Sequence, residues 1–138
     1  MKKLFLLATM ALATMPMFAA VDAFLGKWIT TEEGNKETVV SLYIDANGKY
    51  CGRIVDVIDQ TKKDAVCTKC PGEWKDHPLI GIEIIKDLKL DGKELKDGKI
   101  LDPRRGKWFS CSIKRDGDKL LVRGSLGPFG ETKTWIQE

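Results

Sequence analysis

Metal ligands and catalytic signatures are scarce in this sequence. One histidine, His77, and one CxxC motif, Cys67-Thr68-Lys69-Cys70, serve all 138 residues. A zinc site built on them has three ligands, Cys67, Cys70 and His77, and must draw its fourth from Asp76, Cys51 or water. With no second CxxC, no metal is assigned. No Gly-x-Ser-x-Gly nucleophile elbow is present, and Gly124-Ser125-Leu126-Gly127 lacks the spacing. Neither common phosphate-cradling glycine loop occurs, so no nucleotide cofactor is expected. Asp56 and Asp59 stand three residues apart in an extended run, which puts them on opposite faces. That is the wrong geometry for a cooperating acid and base. The expectation is a protein that is not an enzyme and carries no cofactor.

An excess of charge is missing as well. There are 23 basic and 20 acidic residues, a net charge of +3, and the signs are interspersed, as in Lys86-Asp87-Leu88-Lys89 and Lys93-Glu94-Leu95-Lys96. Phosphate neutralisation needs a basic stripe, so nucleic acid is not an expected partner. No window of twelve or more residues has a helical period, although Lys86–Lys96 has room for a short helical turn.

The long apolar run is confined to the N-terminus. Lys2 and Lys3 precede an apolar stretch from Leu4 to Ala13, Pro16 breaks it, and small residues follow at Ala19, Ala20 and Ala23. This is the pattern of a secretory signal peptide over residues 1–20, with cleavage within about 19–23, and its core is too short to span a bilayer. No cysteine stands at the junction to carry a lipid. The expected product is an exported protein, periplasmic or secreted, with one domain over 21–138 and no transmembrane segment.

Turn dipeptides recur through that domain at hairpin spacing: Gly34-Asn35, Asn47-Gly48, Asp91-Gly92, Asp97-Gly98, Asp116-Gly117 and Gly127-Pro128. Between them lie β-rich runs at Phe24–Thr31, Thr38–Asp45, Lys49–Asp59, Leu79–Lys86, Lys99–Asp102, Lys107–Arg115, Lys119–Leu126 and Thr132–Gln137. Several alternate with period two. Val40, Leu42 and Ile44 share a face, as do Ile80, Ile82 and Ile84, and Phe109, Cys111 and Ile113. About eight short antiparallel strands with one apolar face must dispose of their edges, and closure into a small up-and-down barrel does so most completely. The fold class is therefore all-β, a single antiparallel barrel, closed or incompletely closed. Its one long connection, Gln60–Pro78, carries the CxxC, and long loops in compact domains are usually functional or tied down.

Gly26-Lys27-Trp28 resembles the Gly-x-Trp opening of lipocalin-like barrels. A longer series is more specific. It comprises Tyr50-Cys51-Gly52-Arg53-Ile54-Val55, the Cys67/Cys70 loop, Pro78-Leu79-Ile80-Gly81 and Gly98-Lys99-Ile100-Leu101-Asp102-Pro103. Gly106-Lys107, Leu120-Leu121-Val122-Arg123-Gly124 and Thr132-Lys133-Thr134-Trp135 complete it. Together these resemble the exported bacterial family known as domain of unknown function 2147, over essentially the whole domain. The resemblance implies a small exported β-barrel and no established activity. It also implies a late basic residue packed over Trp28. The ending Trp135-Ile136-Gln137-Glu138 has no such cation, which leaves Arg123 as the substitute.

In an oxidising compartment four cysteines pair in one of three ways. A Cys67–Cys70 bond closes a tiny loop and is the expected structural disulfide. A Cys51–Cys111 bond would stabilise more, by about 3–4 kcal/mol, but Cys51 shares parity with outward Lys49 and Arg53, and Cys111 with inward Phe109 and Ile113. A redox pair stands as an alternative, although Pro71-Gly72 follows the motif where an oxidoreductase needs a helix N-terminus. The turn Asp102-Pro103-Arg104-Arg105-Gly106 is basic enough to hold an anion and equally explicable as a plain connection. The functional expectation is a barrel that binds a small apolar or amphipathic ligand, with Trp28, Tyr50, Ile54, Ile82 and Phe109 as its pocket wall. Two alternatives stand beside it: a cavity-less envelope interaction module with a patch around Trp74 or Trp108, and a thiol-disulfide redox protein.

Overall fold

The computed structural model describes residues 23–138, so the signal peptide expected over 1–20 lies outside the described residues. Eight strands follow one another: β1 Gly26–Glu32, β2 Asn35–Ile44, β3 Tyr50–Val57, β4 Glu83–Asp91, β5 Glu94–Asp102, β6 Lys107–Asp116, β7 Lys119–Leu126 and β8 Phe129–Gln137. Each pairs antiparallel with the next. The sheet closes where β8 meets β1 through Trp28 opposite Gln137 and Ile29 opposite Ile136. The barrel is thus closed, with no free edge. No helix among the described residues is long and apolar enough to cross a membrane.

Asp97-Gly98, read above as a turn, lies inside β5. The register shifts between Leu95 and Gly98, and Asp97 takes φ 61°. Positive φ serves a bulge as well as a turn, so the same dipeptide fits both. The true reversal is at Asp91-Gly92, and Lys86–Lys96 holds the end of β4 and the start of β5 instead of a helical turn. A second bulge, between the pairs Gly52–Ile85 and Arg53–Glu83, lets both Ile84 and Ile85 bury.

One half of the barrel is solid. Trp28, Leu42, Leu88, Leu95, Ile113 and Leu120 fill it from the starts of the odd strands and the ends of the even ones, all at 2% exposure or less. Phe24 closes the end beneath them. Its carbonyl accepts from Trp28 Nε1 at 3.0 Å, and its ring meets Tyr50 edge-on at 6.3 Å. The cation over Trp28 is Arg115, with its guanidinium 5.3 Å from the ring centroid and a hydrogen bond donated to the Ala23 carbonyl. Arg123 does not take this place. It is paired with Ser112 and Thr132 on the outer face, because its position in β7 alternates with inward Val122.

The long β3–β4 connection folds on itself. Val66 bridges Pro78, Cys67 N–H donates to His77 O at 2.8 Å, and Asp76 N–H returns to Cys67 O at 2.7 Å. Cys67 and Cys70 are bonded to each other. They join Trp74, Leu101 and Trp108 in the core cluster, so the loop covers the outward-facing pair Leu101–Trp108. Cys51 and Cys111 are free and buried, on opposite faces as their parities require. Burial, then the neighbouring Asp45, pushes the Cys51 thiol up to about 11, and burial alone pushes Cys111 up to about 12. Neither is a thiolate at neutral pH.

Candidate functional site

The other half of the barrel is hollow. A cavity of about 650 Å³ opens at the end that carries the β1–β2, β5–β6 and β7–β8 turns. Its wall is built from strand positions continuing the inward alternation of the plugged half. Ile54, Ile84, Ile100, Phe109, Val122 and Trp135 supply apolar surface. Gly124 leaves part of the wall bare: a Cβ there would meet only Ile100 Cγ2 at 3.5 Å and Phe109 Cβ at 3.7 Å among side chains.

Charge is concentrated at the mouth. Glu32 ends β1 and Glu37 is the third residue of β2, while Arg104 sits on the β5–β6 turn, half-way around an eight-stranded barrel from them. Arg104 nevertheless reaches both, with Nη2 on Glu37 and Nη1 3.3 Å from Glu32, so its side chain bridges the opening. Lys133, inward on β8, pairs with Glu32 and lies 3.7 Å from Glu131. The Lys133 hydrogen bond, against the opposing effect of burial, holds the Glu32 carboxyl below its ordinary value, with Arg104 contributing. Deeper, the Thr30 and Thr38 hydroxyls bond each other at 2.7 Å and satisfy one another's polarity.

The disulfide loop borders this mouth. Leu79 lines the cavity, and Lys69 packs its carbonyl against Gly106 of the turn that carries Arg104. Gly106 has φ 67°, and a Cβ there would collide with the Lys69 carbonyl. Cys67 Sγ lies 3.6 Å from the Pro103 carbonyl oxygen in the same turn. With their sulfurs joined, Cys67 and Cys70 are not available as metal ligands, and no metal-binding cluster of His, Cys, Asp and Glu occurs among the described residues.

Of the residues expected to form the pocket wall, Ile54 and Phe109 line the cavity. Trp28, Tyr50 and Ile82 do not. The first two lie in the plugged half beside Phe24, and Ile82 is fully buried where the chain approaches β4, its carbonyl bonded to Ile54 N–H at 2.9 Å. Sequence reasoning missed Glu32, Glu37, Arg104 and Lys133 as a group. Only the basic run at Asp102–Gly106 hinted at them.

Residues 26–137 match the bacterial family described as "uncharacterized protein conserved in bacteria (DUF2147)". The barrel is similar to the solved structure of a Helicobacter pylori protein described as belonging to the lipocalin family. The two are 21% identical with a TM-score of 0.70, over 83% of this chain and 82% of that one. No curated protein matches the sequence.

Proposed function

The chain belongs to the DUF2147 family, and on that premise we propose that it is an exported carrier of a small amphipathic molecule, held with its apolar part inside the barrel and its polar end at the mouth. The observation that carries this reading is the open cavity of about 650 Å³ with an apolar wall and a charged rim. Small-molecule sites commonly occupy about 300–1,000 Å³ and combine an apolar lining with a few placed polar groups. An eight-stranded barrel is wide enough for one small ligand. The lipocalin-family description of the Helicobacter pylori protein agrees with this use of the fold.

Export is supported by the signal-like N-terminus and by the Cys67–Cys70 bond, which suits an oxidising compartment. The reading is of a binding protein without catalysis. His77, the single histidine, does not line the cavity. Two observations weigh against the alternatives. A cavity-less interaction module does not need a hollow half-barrel, and Trp74, in the loop, and Trp108, beneath it, are both half-buried. A redox protein needs an accessible low-pKa cysteine, whereas Cys67 and Cys70 are 3% and 2% exposed and are followed by a three-residue 3₁₀ turn at Gly72–Trp74.

The test has two arms: titration with the neutral apolar probe N-phenyl-1-naphthylamine, and mass spectrometry of an organic extract of protein purified from its own host. Saturable one-to-one probe binding and a stoichiometric amphiphile in the extract are expected. No probe binding together with an empty extract would overturn the reading.

A further inference from the structure

The rim charges are not equivalent, and the difference bears on what the polar end of the ligand is. Every carboxylate lining the cavity already has a hydrogen-bond or ion-pair partner in the protein. Glu32 takes Lys133 and Arg104, and Glu37 takes Arg104. Glu131 has Lys133 at 3.7 Å, and Asp59 accepts from Thr61 N–H and Oγ at 3.0 and 2.6 Å. Asp102 accepts from Arg104 N–H at 2.9 Å and faces Arg105 Nε at 3.5 Å.

The cations are less fully used. Lys36 and Lys62 line the same cavity, and among the described residues neither ammonium has a carboxylate within 4 Å or a hydrogen-bond partner, although Lys62 stands near enough to Asp59 to help the Thr61 hydrogen bonds hold that carboxyl below its ordinary value. Arg104 spends two of its donor nitrogens on carboxylates and keeps its Nε free of side-chain partners. Its side chain is 55% exposed and lies across the opening. A ligand lying tail-down in the hollow half presents its head to this guanidinium, with the Lys36 and Lys62 ammonium groups on the wall of the same cavity. The charged groups at the mouth left without an ion-pair or hydrogen-bond partner are therefore cations, and an anionic group complements them.

We propose that the ligand carries an anionic head group, a carboxylate or phosphate on a single apolar chain, and that Arg104 reads it. The inference rests on the carrier reading above. The head group displaces Glu37, which at 35% side-chain exposure returns to water at little cost, while Glu32 keeps Lys133. A guanidinium offers an oxyanion paired, charge-assisted donors that a neutral or cationic head cannot use. Lys36 and Lys62 add screened attraction at the rim.

The test compares three amphiphiles of equal chain length, dodecanoate, dodecanol and dodecyltrimethylammonium, by displacement of N-phenyl-1-naphthylamine from the wild-type protein and from R104Q and R104K. Dodecanoate is expected to bind the wild type most tightly. R104Q should weaken dodecanoate about five- to tenfold and change dodecanol less than about twofold, and R104K should restore part of the loss. Raising the salt concentration should weaken dodecanoate selectively. Equal binding of all three heads with no effect of R104Q, or a preference for the ammonium head, would overturn the anionic assignment and leave the carrier reading standing. Failure of the probe and of all three amphiphiles to bind would overturn both.

Discussion

Gly124 and Gly98 flank Cys111 in one cross-strand row, Gly98 from β5 and Gly124 from β7, so all three share the inner face. Their surroundings differ. A Cβ on Gly124 reaches Ile100 Cγ2 at 3.5 Å, ordinary van der Waals contact, and the space beyond is the cavity. A Cβ on Gly98 falls 2.6 Å from both Leu88 Cγ and the Lys86 carbonyl oxygen, inside the solid half. Gly124→Leu should therefore fold. It removes the entropic cost of a strand glycine, about 0.5–1 kcal/mol, and buries part of a leucine side chain. Stability is expected to hold or to rise by about 1–2 kcal/mol. The three carbons beyond Cβ occupy room otherwise taken by about as many ligand methylenes. At about 0.8 kcal/mol each, a ligand reaching into the cavity loses about 2–2.5 kcal/mol, or about 50-fold in Kd. Gly98→Ala, by contrast, overpacks the plug and should cost about 1–3 kcal/mol. Urea denaturation paired with N-phenyl-1-naphthylamine titration reads both quantities. A Gly124→Leu protein with undiminished stability and probe affinity within twofold of wild type would refute binding inside the barrel. A stability loss like that of Gly98→Ala would refute the void itself.

Other perturbations separate the parts of the mouth. Glu32 has a folded-state pKa below its ordinary value of 4.5, so its contribution is present above that value and is lost as pH falls through the lowered one. Glu32→Gln should destabilise by less than about 1 kcal/mol at pH 7, and urea midpoints of the two proteins should converge as the pH falls below the ordinary carboxylate range. Replacing Cys67 and Cys70 by alanine opens a link between residues only three apart, and the chain-entropy estimate caps the loss at about 2 kcal/mol. Far-UV circular dichroism should retain the barrel signal while proteolysis within Gln60–Pro78 accelerates. Gly106→Ala meets both a φ of 67° and the Lys69 carbonyl. It should cost about 1–3 kcal/mol and perturb the loop and the Arg104 turn together, read by hydrogen exchange of Cys67 and Asp76 amides.

The strands were legible because their signals are local. Alternation in Val40, Leu42 and Ile44 or in Phe109, Cys111 and Ile113 needs only neighbours along the chain, and Asn47-Gly48 and Asp116-Gly117 mark reversals wherever the strands end up. Parity also kept Cys51 from Cys111. Bulges broke this logic. Asp97 and Asp87, at φ 61° and 62°, accompany register shifts mid-strand; the Asp97-Gly98 pair marks a bulge and a turn alike, and Asp87-Leu88 carries no turn signal at all. Choosing which inward residues line a cavity needs more than parity, because inward positions in the plugged and hollow halves look alike in sequence. Trp28 and Tyr50 belong to the plug because Phe24, from the segment before β1, packs beneath them.

The mouth was illegible for a different reason. Glu37 and Arg104 are 67 residues apart, and Glu32 and Lys133 are 101 apart, so their meeting depends on barrel closure and not on any spacing. The CxxC was visible, yet its structural consequence lay elsewhere. Closing so short a loop adds little to global stability. What the bond fixes is the Cys67–Cys70 segment, whose Lys69 carbonyl abuts Gly106 and whose Cys67 sulfur abuts Pro103. Those two residues bracket Arg104. A turn carrying an exposed arginine across an opening loses side-chain entropy in holding that pose, and exposed ion pairs to Glu32 and Glu37 offset little of it. A rigid abutment on the turn's backbone removes part of the freedom that those ion pairs would otherwise have to restrain. The disulfide thus acts over a few ångströms, on the position of one side chain at the mouth, more than on the stability of the barrel.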